Sequence, residues 1–153
     1  MSVPEILHKS IGKWLGINRL HTPWMKENPV RESPSEAEVL FSAQGKFLKI
    51  EYDWIFENAA QEGLILLGSE NDLIKAYWID SWHMSDKCML SEGQSDKNGT
   101  ISMKGFYSVP DHPDWGWRTE IKTAEADSFK ITMFNVSPEG EESLAVEAEY
   151  KRQ

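Results

Sequence analysis

A chain of 153 residues with 40% hydrophobic and 27% charged side chains holds one domain with one core, taken here as residues 1–153. Its formal net charge is −9 and it has no Lys/Arg cluster, which argues against nucleic acid and anionic membrane surfaces as partners. The single cysteine, Cys88, excludes an internal disulfide, and no apolar run approaches the ~18 residues of a membrane span. Residues 1–30 lack the apolar stretch of a secretory signal, so a cytoplasmic location is expected. Seven Trp are many for this length. A buried indole needs a partner for its N–H, so the excess points to a deep core, an aromatic-lined cavity, or both.

Ser2 and Glu5 flank Pro4 in the spacing of a capping box with proline in the first turn. A short helix over about residues 4–11 is expected, presenting Ile6, Leu7 and Ile11 as a plug or lid. Residues 12–22 read as the first strand, opening with Gly12-Lys13-Trp14. A Trp there would plug the closed end of a small barrel. Pro23, Pro29 and Pro34 make 23–35 a loop, whose Trp24 and Met25 either cover a barrel mouth or anchor the loop. In 46–57, Leu48, Ile50, Tyr52, Trp54 and Phe56 alternate with Lys49, Glu51 and Asp53, the period of a half-buried strand.

Residues 63–68 are apolar on both faces, so that strand is expected to be covered outside as well. Ser69–Asp72 form the turn after it, and 73–83 and 87–95 read as further strands. Asn98-Gly99 is the strongest hairpin signal, and a type I′ turn is expected there. A strand over 100–109 leads to a two-proline loop ending near Trp115. Strands at 116–124, 128–137 and 143–152 complete the series, the last with Leu144, Val146, Ala148 and Tyr150 facing inward. Many short strands at this spacing mean a sandwich or a barrel. Short connections favour up-and-down pairing, and closure removes exposed edges. The expected fold is all-β: an antiparallel up-and-down barrel of about nine or ten strands with a short N-terminal helix.

Gly12-Lys13-Trp14 resembles the Gly-x-Trp start of the calycin group of lipocalins and fatty-acid-binding proteins. Four stretches are more specific: Gly63-Leu64-Ile65-Leu66-Leu67-Gly68, Asp80-Ser81-Trp82-His83, Asp114-Trp115-Gly116-Trp117-Arg118, and the turn region Asn135–Glu141. Together they resemble the bacterial DUF1579 family, calycin-like and of unknown function, over about residues 10 to 152. The resemblance implies a lipocalin-like barrel and carries no catalytic assignment. It also implies a basic residue of the last strand packed across Trp14. Lys151 and Arg152 are the candidates, and Arg152 shares the inward parity of Tyr150. The glycine-rich, tyrosine-proline motif of the haem-binding nitrobindin branch is absent, so no cofactor is expected.

Trp78, Asp80 and Trp82 share one face if the strand runs on to residue 83. Asp80 then either lies between two indoles, its pKa raised by burial, or sits at the strand end bonding turn amides. His83 has the opposite parity and reads as a rim or surface residue. Asp111, His112 and Asp114 offer oxygen and nitrogen ligands without a fixed geometry, so turn chemistry is the better reading and no metal is expected. Arg118 points outward and is expected to stack on an indole and brace the loop. Cys88 reads as a passive thiol.

These elements point to binding rather than catalysis. The expected ligand is a small apolar or amphipathic molecule in the barrel interior, lined by Tyr52, Trp54, Trp78, Asp80, Trp82, Met103, Trp117, Met133 and Asn135. Trp14 and Arg152 have the structural role. Two alternatives stand beside it. One is an enzyme acting on a small carboxylic or carbonyl compound, using Asp80 or Glu92 with His83 or Arg118. The other is a homodimeric scaffold joined through the doubly apolar strand.

Overall fold

Each stretch of alternating apolar and polar residues becomes one strand of a closed sheet. A computed structural model describes residues 3–153, without the side chain of Ala124. After a 3-10 helix, Glu5–Ser10, come β1 (Gly12–His21), β2 (Val30–Ser42), β3 (Phe47–Phe56), β4 (Ala59–Glu70) and β5 (Leu73–Asp80). Then follow β6 (Met89–Ser95), β7 (Thr100–Val109), β8 (His112–Glu125), β9 (Ser128–Val136) and β10 (Glu142–Arg152). Every strand pairs antiparallel with its sequence neighbour, and β1 also pairs with β10, so the ten strands form a closed up-and-down barrel. Among the described residues no helix is long and apolar enough to cross a membrane.

One end of the barrel is stoppered. The 3-10 helix lies across it and buries Leu7, with Val3 beside it. Trp14 donates its indole N–H to Ser10 O at 2.8 Å and packs edge-on against Phe129. The Arg152 guanidinium lies 4.3 Å over the Trp14 ring. It also donates to the carbonyls of Lys9, Ile11 and Ala126, tying helix, β1 and the β8–β9 turn together. Ser2 lies outside the described residues. Glu5 begins a helix whose start has no side-chain cap. Above this plug a layer of Leu48, Ile50, Ile65, Leu67, Ile101 and Ile121 fills the lumen.

Four local expectations change. First, β2 begins at Val30 and carries Pro34 within it, opposite Ile17. The β2–β3 ladder starts only at Ala37. Glu36 N–H points at β3, and strand alternation turns the Pro34 nitrogen the same way, toward a stretch with no ladder bond to lose. Side chains fill that gap: Ser35 Oγ donates to Asp53 O, Asp53 accepts from Glu36 N, and Ser33 Oγ accepts from Ile55 N. Second, Asn98-Gly99 turns a hairpin but not through type I′ geometry. Only Gly99 has positive φ, +89°, and Asp96 Oδ1 accepts from Asn98 N and Thr100 N. Positive-φ pairs close the tight hairpins at Glu57-Asn58 and Asn71-Asp72 instead, and Ala43-Gln44-Gly45 is a positive-φ run in the β2–β3 turn.

Third, β10 bulges between Leu144 and Val146, so Ala145 is buried along with Val146. Fourth, the loop before β8 shrinks to a tight turn at Pro110-Asp111, because β8 starts at His112. The doubly apolar strand has its physical reason outside: Leu64 and Leu66 pair with Ile79 and Tyr77 on the outer wall, and Tyr77 pairs in turn with Leu90.

Closure depends on β10 passing close to β1. A Cβ at Gly16 would sit 1.9 Å from Glu149 O, inside the partner backbone. Gly16→Ala is expected to disrupt the β1–β10 seam, giving loss of cooperative urea unfolding or a stability loss of roughly 3 kcal/mol or more. Arg152→Ala removes a cation–π contact and three carbonyl bonds, with an expected cost of about 2 kcal/mol in urea denaturation at unchanged slope.

Candidate functional site

The site forms where β5 stops. Asp80 is the last residue of β5, and its own carboxylate ends the strand. Oδ1 accepts from the backbone N–H of Trp82 and of His83, both at 2.9 Å, and Asp80 O accepts from Met84 N. This is an Asx-type turn, in which an aspartate side chain takes the amides that a strand would have paired. The expected strand to residue 83 therefore ends three residues early. Trp82 leaves the face of Trp78 and packs on Trp54 and Phe56, with ring centroids 5.7 and 5.0 Å away. His83 swings inward rather than to the rim, leaving its side chain 9% exposed.

Asp80 is 2% exposed and receives five hydrogen bonds. Besides the two amides, His83 Nδ1 meets Oδ1 at 3.2 Å. Tyr52 Oη donates to Oδ2 at 2.6 Å and Trp54 Nε1 at 3.3 Å. Trp78 Nε1 donates in turn to Tyr52 Oη at 2.8 Å. Gly63, opposite Tyr52, is required here, since a Cβ would fall 2.2 Å from the phenol oxygen.

Burial pushes the Asp80 pKa up, but the hydrogen bonds of His83, the positive charge its ring carries when protonated in the acidic range where a carboxyl titrates, and the Tyr52 bond hold it below the usual 3.8. Of the two expected placements, the strand end with turn amides holds, and the rise that burial between indoles would have brought is outweighed because every partner of the carboxylate is a donor. Burial, then the Asp80 charge, drives the Tyr52 phenol well above its usual 10.

Four indoles surround the His83 imidazole: Trp54, Trp78, Trp82 and Trp117, with centroids 4.8 to 5.6 Å away. Trp78 and Trp117 stack at 5.4 Å. Among the described residues, His83 Nε2 and Trp117 Nε1 are the two buried side-chain polar atoms without a hydrogen-bond partner.

Three spaces border this cluster, one of them a hollow of about 460 Å³ on the outer wall, lined by Tyr52 and Asp80 with Glu51, Glu62 and Ser81. Below it, between Asn18, Tyr52, Trp54, His83, Met133 and Tyr150, the lumen keeps about 10 Å³, room for roughly one water. Above it, the open end carries a groove of about 580 Å³, walled by Trp24, Trp78, Met89, Tyr107 and Trp117, with His83 and Asn135 between them. A further hollow of about 540 Å³ lies on the outer wall over Leu15, Ile17 and Lys130. It lies away from His83 and Trp117, whose unpartnered nitrogens belong to residues lining the open-end groove.

Of the nine predicted lining residues, Tyr52, Trp54, Asp80 and Met133 border the small void. Trp78, Trp117 and Asn135 border the groove. Met103 is buried in the filled core and Trp82 packs outside the void and the groove. Trp24, expected either to cover a barrel mouth or to anchor its loop, lines the groove together with Met89, and Tyr107 lines it without having been predicted. The inward His83 was readable only through the Asp-Ser pair, which marks a turn as readily as a strand end.

Glu92 lies exposed on β6. Arg118 pairs with Glu142 and Glu120 and stacks 4.4 Å over Phe134, not over an indole. Among the described residues no group of three or more His, Cys, Asp or Glu is placed to hold a metal.

The sequence model of DUF1579, a protein of unknown function, matches residues 2–152. The chain belongs to this family. No curated protein matches it. Among solved structures, the S-type phycobiliprotein lyase CPES from Guillardia theta is similar at 16% identity and TM-score 0.65. That likeness covers 100% of this chain and 93% of the lyase. Rv2717c from M. tuberculosis is similar at 12% identity and TM-score 0.65, over 99% of both chains. At these identities the likeness is one of fold, a calycin-type barrel.

Asp80→Asn keeps the shape and loses the chemistry. Whichever way the amide faces, its NH₂ meets donors, so a stability loss of about 2–4 kcal/mol is expected in urea unfolding. The depressed Asp80 pKa stabilises the fold fully above its unfolded value, near the ordinary 3.8, and this is lost as pH falls through the folded value. Wild type should therefore lose stability below about pH 4 more steeply than Asp80→Asn, as denaturation series across that range would show.

Proposed function

We propose that this DUF1579 protein is a binding barrel for a small apolar or amphipathic molecule, held in the groove at its open end. One observation carries this reading. The lumen below the indoles has about 10 Å³, whereas the groove above them has about 580 Å³ and aromatic and methionine walls. That volume and lining are those of small-molecule pockets, apolar with few polar anchors. The ligand thus sits above Trp78 and Trp117 rather than deep among Tyr52, Trp54 and Met133. The Asp80–Tyr52–Trp54 network beneath is a rigid floor. Likeness in fold to the lyase and to Rv2717c supports a binding barrel without naming a ligand.

A second reading has one observation in its favour. Asp80 holds His83 Nδ1, the arrangement that orients an imidazole for proton transfer at its other nitrogen. A metabolite panel compared between wild type and His83→Ala tests it. Any turnover should vanish in the variant, and equal activity in both would exclude His83 as the base.

Retinol, oleate and naphthalene derivatives titrated against intrinsic Trp fluorescence test the main reading. A ligand of about 10–20 non-hydrogen atoms is expected to shift or quench emission with a micromolar Kd. Trp24 is 71% exposed, so Trp24→Ala should leave folding unchanged while weakening binding roughly 3–10-fold. An emission spectrum unmoved by any of the panel would remove the proposal.

A further inference from the structure

We infer that the molecule held in the groove carries a hydroxyl, and that this O–H is taken between His83 Nε2 and Trp117 Nε1. The inference rests on the groove being the binding site. It follows from the two buried nitrogens that have no partner.

Asp80 is ionised and can only accept hydrogen bonds, so the ring nitrogen facing it, Nδ1, carries a hydrogen. In the neutral imidazole this leaves Nε2 as a lone pair on the far side of the ring. Trp117 Nε1 is a donor and nothing else. The two rings have centroids 5.5 Å apart and both line the groove. One side chain therefore offers an acceptor and its neighbour a donor, in a pocket where neither finds a protein partner. Buried polar atoms left in this state are costly, and such sites are filled by a group of matching polarity.

A hydroxyl matches both, because it donates to Nε2 and accepts from the indole N–H. Ionised groups and a bare carbonyl match one or neither, and the hydroxyl is the smallest group that serves both atoms through a single oxygen. A carboxylate accepts only, so it meets a lone pair at Nε2, and it brings a second negative charge toward Asp80 with Lys87 the one lysine on the groove wall. A carbonyl serves Trp117 alone. An ammonium serves His83 and turns its hydrogens on the indole N–H. The surrounding indoles crowd the imidazole and leave its side chain 9% exposed, so little solvent competes for the bond. The ligand class is then an apolar, groove-sized alcohol or phenol.

Naphthalene, 2-naphthol and 2-naphthoate form a matched set, to be titrated at neutral pH by calorimetry and Trp fluorescence. 2-Naphthol is expected to bind wild type at least ~10-fold more tightly than the other two, the worth of one well-made buried hydrogen bond. In Trp117→Phe the advantage over naphthalene should shrink to under ~3-fold. In ¹⁵N-labelled wild type, 2-naphthol should move the Trp117 indole N–H resonance downfield and naphthalene should not. This measurement stands even if Trp117→Phe does not fold. Equal affinities for 2-naphthol and naphthalene, or a preference for 2-naphthoate, would overturn the hydroxyl and leave groove binding intact. Binding of none of the three would overturn both.

Discussion

The contact between β1 and β10 is the constraint from which the rest of the molecule follows. Ten antiparallel strands in sequence order would otherwise leave two edges, and edges recruit other chains. Here Trp14 to Leu20 pair with Arg152 to Val146, and the missing side chain of Gly16 lets the backbones meet. Once the sheet is closed, every second side chain is committed to the lumen. Ten strands with large inward residues then leave almost no free space inside. Arg152 fastens the stopper to this seam, so the closed end is set by the same pair of strands.

Closure also explains why an ionised carboxylate can be retained in the interior. Asp80 lies almost without exposure, which in an apolar lumen would force it neutral. Five donors converge on it instead, two of them amides of the turn it initiates. These donors come from β3 and the β5–β6 connection, and a second tier, Trp78 to Tyr52, supports the first. The carboxylate therefore ends a strand, fixes the orientation of an imidazole and spaces three indoles. One residue links local turn geometry to the floor of the binding groove.

The barrel consequently works at its mouth. Side chains pack the lumen above the plug, and the polar network seals the layer above them. What remains for a ligand is the open end, where strand termini and turns supply Trp24, Met89 and Tyr107 beside Trp78 and Trp117. Rigid strands thus present a preorganised floor, while the groove walls come from less constrained segments, a common division of labour in binding proteins.

Strand parity was legible in the sequence because period-two alternation is local. It placed Trp54, Trp78, Met103, Trp117 and Met133 inside and Arg118 outside. The barrel, the Trp14 plug and the partnership with Arg152 were legible through the resemblance and the inward parity of Tyr150. Three things were decided only by tertiary structure. Where β5 ends depended on Asp80 finding turn amides and two donors from β3, partners some 26 to 28 residues away in sequence. That choice moved Trp82 off its predicted face, brought His83 inward and lowered a pKa that burial alone would raise. Pro34 could join a strand because the neighbouring ladder was absent beside it, a fact about β3 rather than β2. Alternation tells which side chains face inward but not how much room they leave. The free volume is what remains when ten inward faces meet, and no single strand contains that information.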